Sequence, residues 1–220
     1  MLVKLGEHAG SSTAVLVRAA ESMTAAMIAE LKGDMLSLPE LVKEYLNFGA
    51  KLVEVALSDV VYSNVMPTML EMAMGVLSCD NGDLINTAAG FMQGALQHGA
   101  NAPPPAAVAQ GAGAAGANCV VTWLGTGEKL TAQLMQAMIV TCPQTEVDLI
   151  AELLKSMALL LGPQAFQIIG ALVTNPAFPA PHVAMDTRVK FVQTLQQTVE
   201  STYKFTFACT DFSTLCRTRK

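Results

Sequence analysis

The fold is decided by residues 60–98, which read VVYSNVMPTMLEMAMGVLSCDNGDLINTAAGFMQGALQH. Apolar residues recur at spacings of three and four on both sides of the polar stretch Asp80–Asp83, which is typical of two amphipathic helices. Pro67 is expected to kink or interrupt the first helix, Val60–Leu77, because proline lacks an amide hydrogen and clashes with the preceding turn. The polar stretch closes that helix and caps a second one that runs to about His98. The pair is predicted to form an αα-hairpin.

Helical periodicity extends over nearly the whole chain. Upstream, Leu16–Leu31 predicts one helix. A second helix is expected to open at Ser37, with Glu40 completing a capping box, and to break near Gly49. Tyr203, Phe205, Phe207 and Cys209 alternate with polar residues as in a strand, but the sequence offers no partner strand and we predict a helix. The helices predicted downstream span residues 129–140, 145–161, 164–173, 186–199 and 202–217.

The predicted helices group into pairs of roughly 35–45 residues, close to the size of HEAT-type repeats. We therefore predict an all-α fold, a HEAT-like α-solenoid of about four to five antiparallel helix pairs. Residues 1–98 form its N-terminal repeats and residues 119–220 its C-terminal repeats in one continuous solenoid. Residues 99–118 are rich in Ala, Gly and Pro and are predicted to be a flexible insertion, because they carry few large apolar groups. A compact helical bundle is the rival architecture.

Composition favours helices that are buried on two sides. Hydrophobic residues make up 52% of the chain and charged residues 14%, against a usual charged share of about 25%. Membrane insertion is the competing explanation. However, prolines and glycines interrupt the uncharged stretches 84–127 and 156–185, and neither stretch supplies ~20 continuous apolar residues. The net charge of −5 and the lack of a basic stripe argue against direct nucleic-acid binding.

We predict no catalytic, cofactor or metal site. Gly111–Gly116 matches the dinucleotide fingerprint G-x-G-x-x-G, but no strand precedes it and no second strand follows. Gly125–Lys129 resembles a phosphate loop only superficially and is predicted to be a turn before a helix. The three histidines are far apart in sequence, so no metal site is expected. The five cysteines form no CxxC pair and favour a reducing compartment.

The order of elements in the C-terminal half resembles a known family. The residues that carry the resemblance are Leu130–Leu134, Thr141–Pro143 leading to Val147–Leu154, the Phe178-Pro179 connector, Val189–Leu195, Asp211-Phe212 and Leu215-Cys216-Arg217. From about Gly33 to Lys220 the chain is similar to the C-terminal repeats of importin-β superfamily receptors on the transportin-SR and importin-thirteen branch.

The resemblance implies a nuclear transport receptor that works in the cytoplasm and the nucleus. Its HEAT superhelix would bind protein cargo on the concave side, without enzymatic activity. The small GTPase Ran would regulate cargo binding, mainly through repeats that this chain lacks, and nucleoporins would be further partners. The arginine-rich helix with which transportin-SR binds Arg/Ser domains has no counterpart here.

Within that arrangement, helix alternation assigns 83–98, 145–161 and 186–199 to the cargo-facing side, although the inverse assignment fits equally well. The exposed polar positions of these helices are the candidate partner-binding residues: Asp83, Gln93, Gln97, Asp148, Glu152, Arg188 and Gln197. Asp148, Glu152 and Lys155 share one helix face. They predict either a solvated face with a Glu152–Lys155 pair or a cargo-binding stripe. The alternative function is a stand-alone helical adaptor without transport activity.

Overall fold

The computed structural model describes residues 2–31, 34, 36–105 and 117–218, with side chains at position 13 and from position 15 onward. Every regular element within these ranges is helical, which confirms the all-α prediction. The α-helices are α1 (Leu2–Leu31), α2 (Pro39–Val61), α3 (Val65–Val76), α4 (Gly82–Gly94), α5 (Cys119–Leu124), α6 (Glu128–Gln136), α7 (Val147–Leu161), α8 (Pro163–Thr174), α9 (Met185–Thr198) and α10 (Thr202–Arg217).

Three short segments extend these helices. A π-helical turn, Ala95–Gly99, follows α4, and a second one, Ala137–Thr141, follows α6. A 3₁₀ turn, Gln144–Glu146, leads into α7. With these additions, the helices predicted beyond residue 128 agree with the structure to within one or two residues. The alternating segment that begins at Tyr203 is helical, as predicted.

The interruption predicted within Val60–Leu77 is present, but it lies before Pro67 and not at it. The chain leaves the helix after Val61 and re-enters it at Val65, so two helices share this stretch. Pro67 lies in the first turn of α3, where backbone amides have no intrahelical acceptor and the missing N–H costs little. The proline therefore marks the start of a helix, not a kink within one.

The predicted break at Gly49 was wrong, because α2 continues through this residue. A Cβ atom at Gly49 would lie 3.0 Å from Met69 Sδ and 3.1 Å from Phe91 Cε2. The glycine therefore permits close packing of α2 against two other helices. The backbone departs from helical geometry at Ala56 instead, where φ is −139° and ψ is 36°.

Side-chain caps differ from the predictions in two places. Leu38 precedes α2 without a side-chain cap, and Ser37 Oγ donates to the Asp34 carbonyl instead (2.7 Å), so the capping box was wrong. By contrast, Asn81 Oδ1 accepts from the Leu84 amide (3.1 Å), as expected of the turn before α4. The Gly125–Gly127 turn before α6 is confirmed, and both of these glycines have positive φ.

The borders of the Ala/Gly/Pro-rich segment make specific contacts. Asn118 Oδ1 accepts from the Val120 amide (3.0 Å) and caps α5, a helix that the sequence analysis did not predict. The Asn118 amide group also donates to the Gly99 carbonyl (2.8 Å). Ala102 is buried and its carbonyl accepts from Tyr62 Oη (3.4 Å). Residues 106–116, including most of the predicted insertion and the glycine fingerprint, lie outside the described residues.

The chain forms two compact units. The first comprises Met1–Ala73 with Gly90–Trp123, and the second comprises Met74–Ala89 with Leu124–Lys220. These borders differ from the predicted borders at residues 98 and 118. The first unit has a core of fully buried side chains that includes Leu46, Leu52, Met66, Met69, Leu70, Phe91 and Met92. The second unit buries Leu84, Ile85, Leu134, Ile150, Leu154, Ile169, Leu195 and Phe205.

In the second unit, α7 and α10 pack as an antiparallel pair. Thr210 Oγ1 donates to Asp148 Oδ1 (2.6 Å), and Lys155 Nζ donates to Thr202 Oγ1 (3.0 Å). Residue numbers rise along α7 as they fall along α10, so the two helices run in opposite directions. These two bonds define the α7–α10 seam.

A buried arginine organises the connector between α8 and α9. Arg188, in the first turn of α9, is 6% exposed. Its guanidinium donates to the carbonyls of Val173 (3.2 Å), Ala180 (2.8 Å) and Val183 (2.9 Å), and lies 4.6 Å from the centre of the Phe178 ring. Hydrogen bonds from a charged donor are among the stronger ones in proteins. Arg188 therefore fixes a segment that has no helix or strand of its own.

We predict that Arg188→Met lowers the free energy of unfolding by about 2–4 kcal/mol, because three buried carbonyls lose a charged donor. Urea unfolding followed by far-ultraviolet circular dichroism measures the change. Lys190→Met, two residues away on the exposed surface of α9, is the matched control and should stay within about 0.5 kcal/mol. Equal stability of the two variants would contradict the role of Arg188.

Candidate protein-binding surface

The predicted partner-binding positions differ in exposure. Five of them are exposed and Gln93 is half-buried; the exposed ones are Asp83, Gln97, Asp148, Glu152 and Gln197. Gln93 and Gln97 belong to the first unit and the others to the second. The exposure predicted for Arg188 was wrong. The Arg188 side chain turns inward to donate to carbonyls of the Pro-rich connector, of which Ala180 also accepts from the Val183 amide (3.1 Å).

The acidic stripe on α7 lies along the α7–α10 seam. The Asp148 carboxylate is engaged by Thr210, and Lys155 bonds Thr202, so the predicted Glu152–Lys155 ion pair does not form among the described residues. Glu152 lies between these two bonds and its side chain is exposed. The stripe is therefore in part an interhelical contact, with Glu152 as the carboxylate that faces solvent.

Histidines, acidic residues and cysteines do not assemble into a metal site within the described ranges. His182 Nε2 lies 3.1 Å from the Leu215 carbonyl, in a backbone contact. His98 is exposed at the end of the π-helical turn after α4.

The cysteines lie in environments that suppress thiolate formation. Burial raises the pKa of Cys216 to about 11, although the neighbouring Arg188 and Arg217 guanidiniums act in the opposite direction. Burial also raises the pKa of the fully enclosed Cys209, and Asp148 adds to that rise. The pKa of the part-exposed Cys119 is raised by burial as well. Because the thiolate is the reactive form, these groups are poor nucleophiles at neutral pH.

A groove between α9 and α10 is the most distinctive surface feature of the second unit. It encloses about 590 Å³. Phe191 and Phe212 form its floor, and their rings stack almost in parallel (5°) with centroids 3.9 Å apart. Both rings are buried, at 5% and 2% exposure. A floor built from a buried aromatic stack is held in place before any partner binds.

One wall of the groove is an exposed, largely apolar ridge on α10. Tyr203, Phe207 and Leu215 retain 78%, 63% and 44% of their accessible surface, and all three line the groove. The Tyr203 and Phe207 rings are 6.4 Å apart. Contiguous exposed apolar groups of this size commonly mark an interaction site. We call Tyr203, Phe207, Asp211 and Leu215, which recur every four residues, the α10 ridge.

The sequence contained a sign of this ridge. On a helix, residues 203, 205, 207 and 209 cannot share one face, because successive residues are rotated by about 100°. Phe205 and Cys209 face the core, so Tyr203 and Phe207 must point elsewhere. The strand-like alternation was therefore the mark of a helix with apolar residues on two faces.

Comparisons with known proteins do not assign the chain to a family. No protein-family model matches it, and no curated protein matches it. Separately, no helix in the described part of the chain is both long and apolar enough to cross a membrane.

We predict that the cysteines label in order of accessibility and that none behaves as an activated nucleophile. At neutral pH, iodoacetamide should modify the part-exposed Cys119 first and the enclosed Cys209 last. The rate at Cys216 should rise about tenfold per pH unit between pH 7 and 9, since its raised pKa keeps the thiolate fraction small throughout that range. Mass spectrometry of quenched samples measures the rates. Fast, pH-independent labelling of Cys209 or Cys216 would indicate a catalytic thiol.

Proposed function

We propose that this chain is a helical protein-binding module that works as the C-terminal part of a nuclear transport receptor. The observation that supports binding is the α10 ridge beside a preformed groove in a unit whose other large apolar side chains are mostly buried. Association with a partner would remove this apolar surface from water. The transport assignment comes from the resemblance to the transportin-SR and importin-thirteen branch.

In this proposal, the antiparallel α7–α10 pair and its neighbours belong to a HEAT-like solenoid. Cargo contacts the exposed polar positions, of which Glu152 and Asp148 are the charged pair on one helix. Ran in its GTP-bound form regulates cargo release through other repeats of the receptor, and nucleoporins bind elsewhere on it. The module itself needs no cofactor, since partner binding requires only surface complementarity.

The solenoid part of the proposal predicts an elongated particle in solution. A compact domain of 220 residues has a radius of gyration of about 17 Å. Small-angle X-ray scattering should give a value well above that for a monodisperse monomer. A value near 17 Å would favour the rival bundle and, with it, the stand-alone adaptor.

We predict that the immobilised chain captures nuclear proteins from a cell extract, and that reversing Asp148 and Glu152 to lysine lowers their recovery. The reversal replaces two carboxylates that would face basic cargo. Recovery is quantified by mass spectrometry with and without GTP-loaded Ran.

Two variants serve as controls for the charge reversal. Thr210→Val removes the hydrogen bond to Asp148 without a change of charge, and Glu44→Lys reverses an exposed carboxylate in the first unit. Both should capture as the parent chain does. Capture of membrane lipids or of one metabolic enzyme would refute the transport proposal. If the charge reversal does not change the recovery of nuclear proteins, an adaptor function is the better explanation.

A further inference from the structure

We infer that the groove between α9 and α10 is the docking site of an amphipathic helix with carboxylates at one end. The inference rests on the proposed protein-binding function and specifies the partner for one surface. It concerns the second unit alone, because every residue that lines the groove belongs to α9 or α10.

The shape of the groove fits a helix. α9 and α10 are joined by a short turn, and Phe191 stacks on Phe212 while Thr198 and Tyr203 line the same groove, so the two helices run antiparallel. The α10 ridge presents one side chain per turn. An amphipathic helix laid along such a ridge inserts its own apolar side chains between successive ridge residues.

The two walls differ in character, which requires an amphipathic partner. The α10 wall is largely apolar, and the α9 wall above the Phe191 floor consists of Thr187, Lys190, Thr194 and Thr198. A partner with an apolar stripe against the ridge and hydrogen-bonding groups against the threonines would satisfy both walls. A uniformly apolar partner would leave the Lys190 ammonium desolvated without an acceptor, whereas the Thr194 and Thr198 hydroxyls already donate to carbonyls within α9.

Charge identifies the end at which the partner carries carboxylates. The groove is lined by Lys190, Lys204 and one carboxylate, Asp211, within a chain of net charge −5. Lys190 and Asp211 adjoin the stacked Phe191 and Phe212 in sequence, so an ammonium and a carboxylate both belong to that part of the groove. Lys204 lies in the first turn of α10, where the helix dipole adds positive potential. Glu200 lies in the preceding turn and does not line the groove.

A defined peptide tests this inference more directly than an extract does. The probe is a fluorescein-labelled amphipathic helix of about 16 residues, which spans roughly 24 Å. It carries Leu and Phe on one face and two glutamates at one end. One matched peptide has lysines in place of the glutamates, and another has serines in place of the apolar residues. Binding is measured by fluorescence anisotropy at low ionic strength and again in high salt.

The acidic peptide should bind about three- to tenfold more tightly than the lysine peptide, and this preference should shrink in high salt. Lys204→Glu should invert the preference. Phe207→Ser should lower the affinity for the acidic peptide by about tenfold or more, because an aromatic residue at the centre of the site is lost. Leu159→Ser changes another exposed apolar residue, on α7 (51% exposed) and outside the groove, and should have no effect. Unchanged circular dichroism and melting would show that Phe207→Ser is folded, as expected for a side chain that is 63% exposed.

Several outcomes would overturn the inference. These are no saturable binding of either charged peptide, equal binding of both in every variant, or equal affinity for Phe207→Ser and Leu159→Ser. Sedimentation that shows a dimer abolished by Phe207→Ser would mean that a second copy of the chain covers the ridge.

If Phe207→Ser still captures nuclear proteins while the peptides fail to bind, the docking inference fails and the proposed transport function stands. If the peptides bind as expected and no nuclear protein is captured, the reverse holds.

Discussion

The arrangement of the second unit depends on one buried cation that is held by backbone carbonyls. Arg188 joins the end of α8, the irregular connector and the start of α9 through three hydrogen bonds. The same guanidinium lies over the Phe178 ring, which in turn lies 6.2 Å from Phe212. Since Phe212 stacks on Phe191, the floor of the α9–α10 groove is an extension of the contacts that Arg188 makes. Stability of the connector and shape of the candidate site therefore have a common origin.

This dependence explains why the candidate binding surface offers few polar side chains to a partner. Polar groups in the second unit are largely used to satisfy the backbone. Ser213 Oγ donates to the Met138 carbonyl (2.6 Å), and Arg217 donates to the Met138 (2.7 Å) and Cys142 (2.8 Å) carbonyls. A π-helical turn displaces carbonyls from the regular ladder; the Cys142 amide donates to Ala137, and α10 supplies the donors to Met138. The side chains left for a partner are mainly aromatic, aliphatic and hydroxyl groups, which suit recognition by shape.

Periodicity predicted α6–α10 well, because the apolar residues that define each helix there are also the ones that it buries. Periodicity failed where a residue serves a contact other than the buried face of its own helix. Gly49 serves a close helix contact, Pro67 starts a helix, and Arg188 points inward to bond carbonyls that are distant in sequence. The groove could not be predicted as a unit, because its floor depends on which ring of one helix stacks on which ring of the next. Only the presence of apolar residues on two faces of α10 could be recognised from the sequence.

The bonds from α10 to the π-helical turn also set an order for folding during synthesis. The carbonyls of Met138 and Cys142 receive side-chain donors from Arg217, which is more than seventy residues later in the chain. While a ribosome is still translating α9, these carbonyls have only water as a partner, and the apolar face that α10 covers is open. The second unit therefore cannot close its core until the last turn of α10 has left the exit tunnel.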